Sequence, residues 1–197
     1  MAEDPDKSLV LRSKAGDQHA FGKLVTHYYQ MVYGLAFGVL NHREKARDVA
    51  QEVFLKVFRQ LPGFQEQSKF KTWLYRIAVN AAIDEQRKNR PTVSLDSTDE
   101  SSDEDRAPVV LEDKGPSPRE LAGQSELKEH LKRALEKLSA DHRAVLTLRE
   151  WQGMAYEEIA DILGVEIGTV MSRLFYARKK LKEILELEIK RKHDAGQ

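Results

Sequence analysis

Between Ala155 and Lys182 the chain reads AYEEIADILGVEIGTVMSRLFYARKKLK, two helical patterns hinged on one glycine. Ile159, Ala160 and Leu163 give the first segment an apolar face, Gly164 supplies backbone freedom for a sharp turn, and Val165 packs behind it. Wound at about 100° per residue, the second segment separates into faces. Val170, Leu174, Ala177 and Leu181 share one stripe, while Thr169, Ser172, Arg173, Tyr176 and Lys180 share another. A buried stripe opposite small polar and cationic side chains suits a helix lying in a DNA major groove. An ordinary helical hairpin with a solvated basic face carries the same pattern. Charge favours the first reading: Ile167–Lys182 holds five basic residues, Arg178 and Lys179 among them, and no acidic one, although the chain's net charge is zero.

That zero hides three blocks. His19–Arg90 is basic, Pro91–Glu126 strongly acidic, and Leu127–Gln197 nearly balanced. Helix formers are many and Gly and Pro few, which predicts an all-α protein. The fold class expected is two small helical domains, residues 1–90 and 119–197, joined by a flexible acidic linker over 91–118 and with the helix-turn-helix in the second. There is no cysteine, so disulfides and thiolate metal sites are excluded and a reducing cytoplasm is the expected location. The histidines lack metal-ligand spacing, so neither metal nor cofactor is expected. The longest apolar run, Met31–Leu40, is about half of what spans a bilayer, and no signal-peptide pattern opens the chain.

The helices follow from apolar period and punctuation. Ser8–Lys14 is a short helix stopping at Gly16, and Asp17 can cap a long one carrying Phe21, Leu24, Tyr28, Val32, Leu35 and Val39. Asn41 followed by Glu44 reads as a capping-box start for the next helix, which Pro62-Gly63 ends. A helix from about Lys69 to Asn89 follows the loop Phe64–Ser68. After the linker, helices are expected over Arg119–Lys137 and, capped by Ser139, over Ala140–Trp151.

Two further stretches carry chemistry. In FKTWLYRIAVN, Phe70–Asn80, the core stripe is Phe70, Leu74, Ile77 and Ala81. Trp73, Arg76, Asn80, Asp84 and Arg87 line a second stripe able to stack on a base, read its edge and hold phosphates. Trp73 borders the core and fits a packing role equally well, but a solvent-facing mid-helix Asn weakens a helix for no local gain. In DVAQEVF, Asp48, Gln51, Glu52 and Leu55 share one face. That face is either a solvated helix surface or a protein-docking patch. Acid–base chemistry would need a pocket, so no catalytic residue is expected.

The order DxxQExF, then FKTWLYRIAxN, then an acidic linker, then YEEIAxxLGVxxGTVxSRLxxAR resembles the extracytoplasmic-function sigma factors of bacterial RNA polymerase. The resemblance covers roughly Phe21–Leu185. It implies that Asp48, Gln51, Glu52 and Leu55 dock on the clamp helices of the polymerase β′ subunit. It implies that Phe64, Lys71, Trp73, Arg76, Asn80, Asp84 and Arg87 open and hold the −10 element. The helix-turn-helix, through Thr169, Ser172, Arg173, Tyr176, Arg178, Lys179 and Lys180, would read the −35 duplex while its apolar surroundings rest on the β-flap. Core RNA polymerase, promoter DNA and an anti-sigma factor are the partners implied, with no membrane insertion. The residues alone leave open a stand-alone helix-turn-helix regulator. Two departures stand out: Ala155 replaces the usual Ser or Thr cap, at about 1 kcal/mol, and Glu166 sets a carboxylate at the start of the basic helix.

Overall fold

The computed structural model describes residues 5–88 and 129–195, and every regular element among them is helical. In chain order these are α1 (Lys7–Lys14), α2 (Gln18–Leu40), α3 (Arg43–Gln60), a 3-10 turn (Leu61–Gly63) and α4 (Phe70–Lys88). Then come α5 (residues 129–136), α6 (Ala140–Leu146), a π segment (Thr147–Trp151), α7 (Tyr156–Leu163) and α8 (Ile167–Ala195). The acidic stretch 91–118 and the start of the helix expected from Arg119 lie outside the described residues.

Local chemistry sets the ends. The Asp17 carboxylate accepts from the His19 and Ala20 amides, both at 3.0 Å, and so caps α2. The Ala20 amide, and then the Arg12 guanidinium, hold that carboxyl below its ordinary pKa. Asn41 does not start α3 as its sequence suggested. It closes α2 in the left-handed conformation, φ 55°, and sends its side-chain amide to the Lys132 carbonyl at 3.0 Å. Asparagine suits both positions, and the left-handed turn wins here because it redirects the chain. His42 takes the cap instead, its Nδ1 accepting from the Lys45 amide at 3.4 Å. At α7 the missing cap is half replaced: the Glu158 carboxylate accepts from the Ala155 amide at 2.9 Å.

Helices α2, α3 and α4 pack on one another through Leu24, Val32, Val53, Val57, Leu74 and Ala78, all buried. The Tyr28 hydroxyl donates to the buried Asp6 carboxylate and fastens α1 across α2. Helices α6, α7 and α8 gather around Val145, Ile159, Val170 and Leu174. These two groups share one continuous apolar core. Helix α4 packs on α6 and α7, and α2 packs on α6 and the π segment. Gly38 makes the second approach close: a Cβ there would stand 2.5 Å from Thr147 Oγ1, so only glycine fits.

Candidate nucleic-acid interface

Burial decides which face of each helix can meet a ligand. Around α4, Phe70, Leu74, Tyr75, Ile77, Ala78, Val79, Ala82 and Ile83 are all buried. What stays open along its length is the strip Trp73, Arg76, Asn80, Asp84 and Arg87, with Trp73 half-covered. The sequence-derived stripe and the solvent-facing strip coincide. Lys71 is exposed in the first turn, its ammonium 5.9 Å from the Tyr75 ring centre. Phe64 is the most covered of the expected contacts: it is 7% exposed and lies 4.8 Å from the Trp73 ring and 6.2 Å from the Phe70 ring, packed against both.

Part of the α4 strip is engaged by the C-terminal helices. The Arg76 Nε donates to the Asp161 carbonyl at 2.9 Å, and Arg87 lies 3.5 Å from the Asp141 carboxylate. Beside them the Tyr75 hydroxyl donates to Gln152 Oε1 at 2.9 Å. Burial, and then the Glu158 charge, push the Tyr75 phenol up to about 12.

On α3, Asp48, Gln51, Glu52 and Leu55 are all exposed on one face, with Phe58 extending it. Aromatic rings flank this face: Phe54 stacks on Tyr29, Tyr29 on Tyr33 and Tyr33 on Phe37, at 6.2–6.4 Å between centres.

Helix α8 buries Val170, Leu174 and Ala177, as the period predicted. Gly164, in the left-handed conformation at φ 64°, makes the turn that sets α8 across α7. Ser172, Tyr176, Lys179 and Lys180 are exposed, and Thr169 is half-buried. The two arginines are tied. Arg173, about one-third exposed, lies 3.7 Å from Asp141, while Arg178 reaches Glu150 Oε1 with Nη2 at 2.6 Å and Nε at 3.1 Å. The Glu150 hydrogen bond raises the Arg178 pKa. Among the described residues no cluster of side chains could hold a metal ion, and no helix is long and apolar enough to cross a membrane.

The chain matches the Sigma-70 region 2 family over residues 24–92 and the Sigma-70 region 4 family over residues 128–181. The RNA polymerase sigma-H factor of Pseudomonas aeruginosa is 37% identical, over 94% of this chain and 96% of that protein. The ECF RNA polymerase sigma-E factor of Escherichia coli is 36% identical, over 94% and 97%. The chain belongs to the extracytoplasmic-function sigma factors. Solved structures agree on the fold of this sigma factor. CnrH in complex with the cytosolic domain of CnrY superposes with a TM-score of 0.65 at 26% identity, covering 92% of this chain and 97% of that one. The sigma factor RpoE from Bartonella quintana, in complex with the anti-sigma factor NepR, gives 0.58 at 25% identity, covering 84% and 96%.

Region 2 of the sigma factor thus holds the α3 face and the α4 strip, and region 4 holds the turn and the first half of α8. Sequence reading missed the residues that join them: Tyr75, Gln152, Asp141 and the Gly38–Thr147 contact. One signal was present. Tyr75, Val79 and Ala82 recur at helical spacing on the side of α4 away from Leu74, and a helix apolar around most of its circumference is covered on both sides.

Proposed function

We propose that this sigma factor brings core RNA polymerase to its promoters by three separate surfaces. Asp48, Gln51, Glu52 and Leu55 dock on the β′ clamp helices, with Phe58 and the neighbouring aromatic rings as the apolar part of that contact. The open strip of α4 captures the unpaired −10 strand: Trp73 offers a ring to stack on, Asn80 an amide to read a base edge, and Lys71, Arg76 and Arg87 cations for phosphates. Helix α8 enters the major groove at the −35 element, with Lys179 and Lys180 on phosphates and Thr169, Ser172 and Tyr176 toward the bases, while the apolar rim of the turn rests on the β-flap. Residues 1–90 and 119–197 act as the two modules and 91–118 as the connector between them.

The observation that carries this reading is the coincidence of the α4 strip with the one length of that helix left open to solvent. Among the described residues no group is placed for bond-making chemistry, and the proposed role is one of binding, in the cytoplasm with the polymerase. One neighbour is held by an anti-sigma factor, and the same kind of partner would silence this chain by covering its binding faces.

The test mixes the full chain with core polymerase and a promoter library. Stable association and initiation at a defined promoter class are expected, and Glu52→Lys should abolish association while leaving the thermal melt unchanged. Tight duplex binding by the chain alone, with no association with core, would instead establish a stand-alone regulator.

A further inference from the structure

The side chains that most often read DNA are paired with carboxylates in the first turns of α8. Arginine, paired with the O6 and N7 atoms of guanine, makes the commonest specific base contact. In the first turns of this helix Arg173 pairs with Asp141 and Arg178 with Glu150, and the first lysine comes only at Lys179. What the first turns present is apolar. Met171 is 54% exposed, Phe175 63% and Tyr176 58%, with Ile167 at the helix start 41%. Met171 and Phe175 stand four residues apart, one turn above the other, so they form one patch.

Large apolar side chains in solvent usually mark a protein contact. Two observations point instead to DNA. Phe175, with Ser172 and Tyr176, lies on the side of α8 away from the buried stripe Val170, Leu174 and Ala177, with Met171 at its edge, and that is the side a helix-turn-helix turns toward the groove. Exposed Lys179 and Lys180 follow it directly, and no acidic side chain interrupts the run from Ile167 to Lys182. A cationic border suits a phosphate backbone. Within the major groove the one apolar group that sequence supplies is the 5-methyl of thymine.

We infer that Met171 and Phe175 determine −35 specificity by packing on thymine methyl groups, with Ser172 and Tyr176 supplying the polar contacts beside them. The inference rests on the promoter reading above and narrows it. This protein selects a thymine-containing −35 element by shape and apolar contact, rather than a guanine run by guanidinium forks.

The experiment uses the full chain assembled with core polymerase. The preferred −35 element is selected from a randomised duplex library, and each of its thymines is then replaced by deoxyuridine, which removes only the methyl. At one or two positions binding should fall roughly fourfold per methyl lost. Met171→Ala and Phe175→Ala should each abolish the difference between thymine and uracil at one position. Lys180→Ala should weaken both duplexes equally. Met171 and Phe175 are exposed, so these variants should fold, and circular dichroism checks that they do. A selected element that binds equally well with uracil throughout overturns the inference and leaves the promoter reading standing. So does a Met171→Ala protein that loses core association but keeps its base preference, because the patch would then be a protein contact. Failure to select any −35 element overturns the promoter reading itself.

Discussion

Arg76 in α4 donates its Nε–H to the main-chain carbonyl of Asp161 in α7, 2.9 Å away and across the two halves of the chain. A cation suited to a promoter phosphate is therefore held by the helix that precedes the −35 reader. Tyr75 and Arg87, on the same helix, reach Gln152 and Asp141. In this arrangement regions 2 and 4 partly occupy each other, and under the function proposed above Arg76 must exchange this contact to meet an opened promoter.

Gly38→Ala should loosen that arrangement. The added Cβ meets Thr147 Oγ1 at 2.5 Å and Cγ2 at 2.6 Å, and Thr147 is fully buried with nowhere to turn. The expected cost is about 1–3 kcal/mol, read as a lower melting temperature and a larger radius of gyration in solution scattering. Adding Thr147→Ala removes both close atoms and should recover much of the loss. Full stability in Gly38→Ala alone would mean that the halves do not pack this way.

Asp141→Ala should release two cations at once, since the carboxylate lies 3.5 Å from Arg87 and 3.7 Å from Arg173. Both pairs are substantially exposed, so stability should change by under about 1 kcal/mol. Non-specific affinity for DNA should rise, and its salt dependence should steepen by up to about two counterions. Filter binding across a salt series measures both, and an unchanged slope would show that neither arginine reaches a phosphate.

Tyr75 supplies a titration of the closed packing. Its phenol is raised to about 12 by burial and then by Glu158, against an ordinary value near 10. A folded-state acid raised in this way retains its proton where the unfolded chain has lost it. Its contribution to stability is therefore complete below about pH 10 and lost as pH rises from there toward 12. In ultraviolet difference titration against Tyr75→Phe, the missing phenolate should ionise near 12. A missing phenolate that titrates near 10 would contradict the burial.

Asn80→Ala separates folding from reading. Alanine is the better helix former by several tenths of a kcal/mol, so removing this exposed asparagine should raise the melting temperature slightly. The −10 preference should broaden while association with core polymerase stays the same. Unchanged promoter preference would remove Asn80 from the readout.

The helices and their inward faces were legible in the sequence because each repeats its apolar residues at the helical period. Val170, Leu174 and Ala177 on α8 and Leu24, Val32 and Val39 on α2 are buried as that period predicted. Two kinds of feature escaped it. Asn41 has two competing uses, and the choice between them depends on where α5 lies. The π segment and the joining contacts pair residues far apart in the chain, as Gly38 with Thr147 and Tyr75 with Gln152, where local period carries no information. The same limit hid the pairing of Arg173 and Arg178 with carboxylates on other helical segments, which moves attention from the arginines to Met171 and Phe175.

With α4 enclosed on every side but one, its positions divide into two classes that barely overlap. Drift at Leu74, Tyr75, Ala78 or Val79 will be purged as misfolding before it can alter promoter choice. Drift at Asn80 or Asp84 leaves the fold intact and, under the function proposed above, meets selection only through the genes it switches. On that reading a lineage can rewire which promoters this protein opens without passing through unstable intermediates.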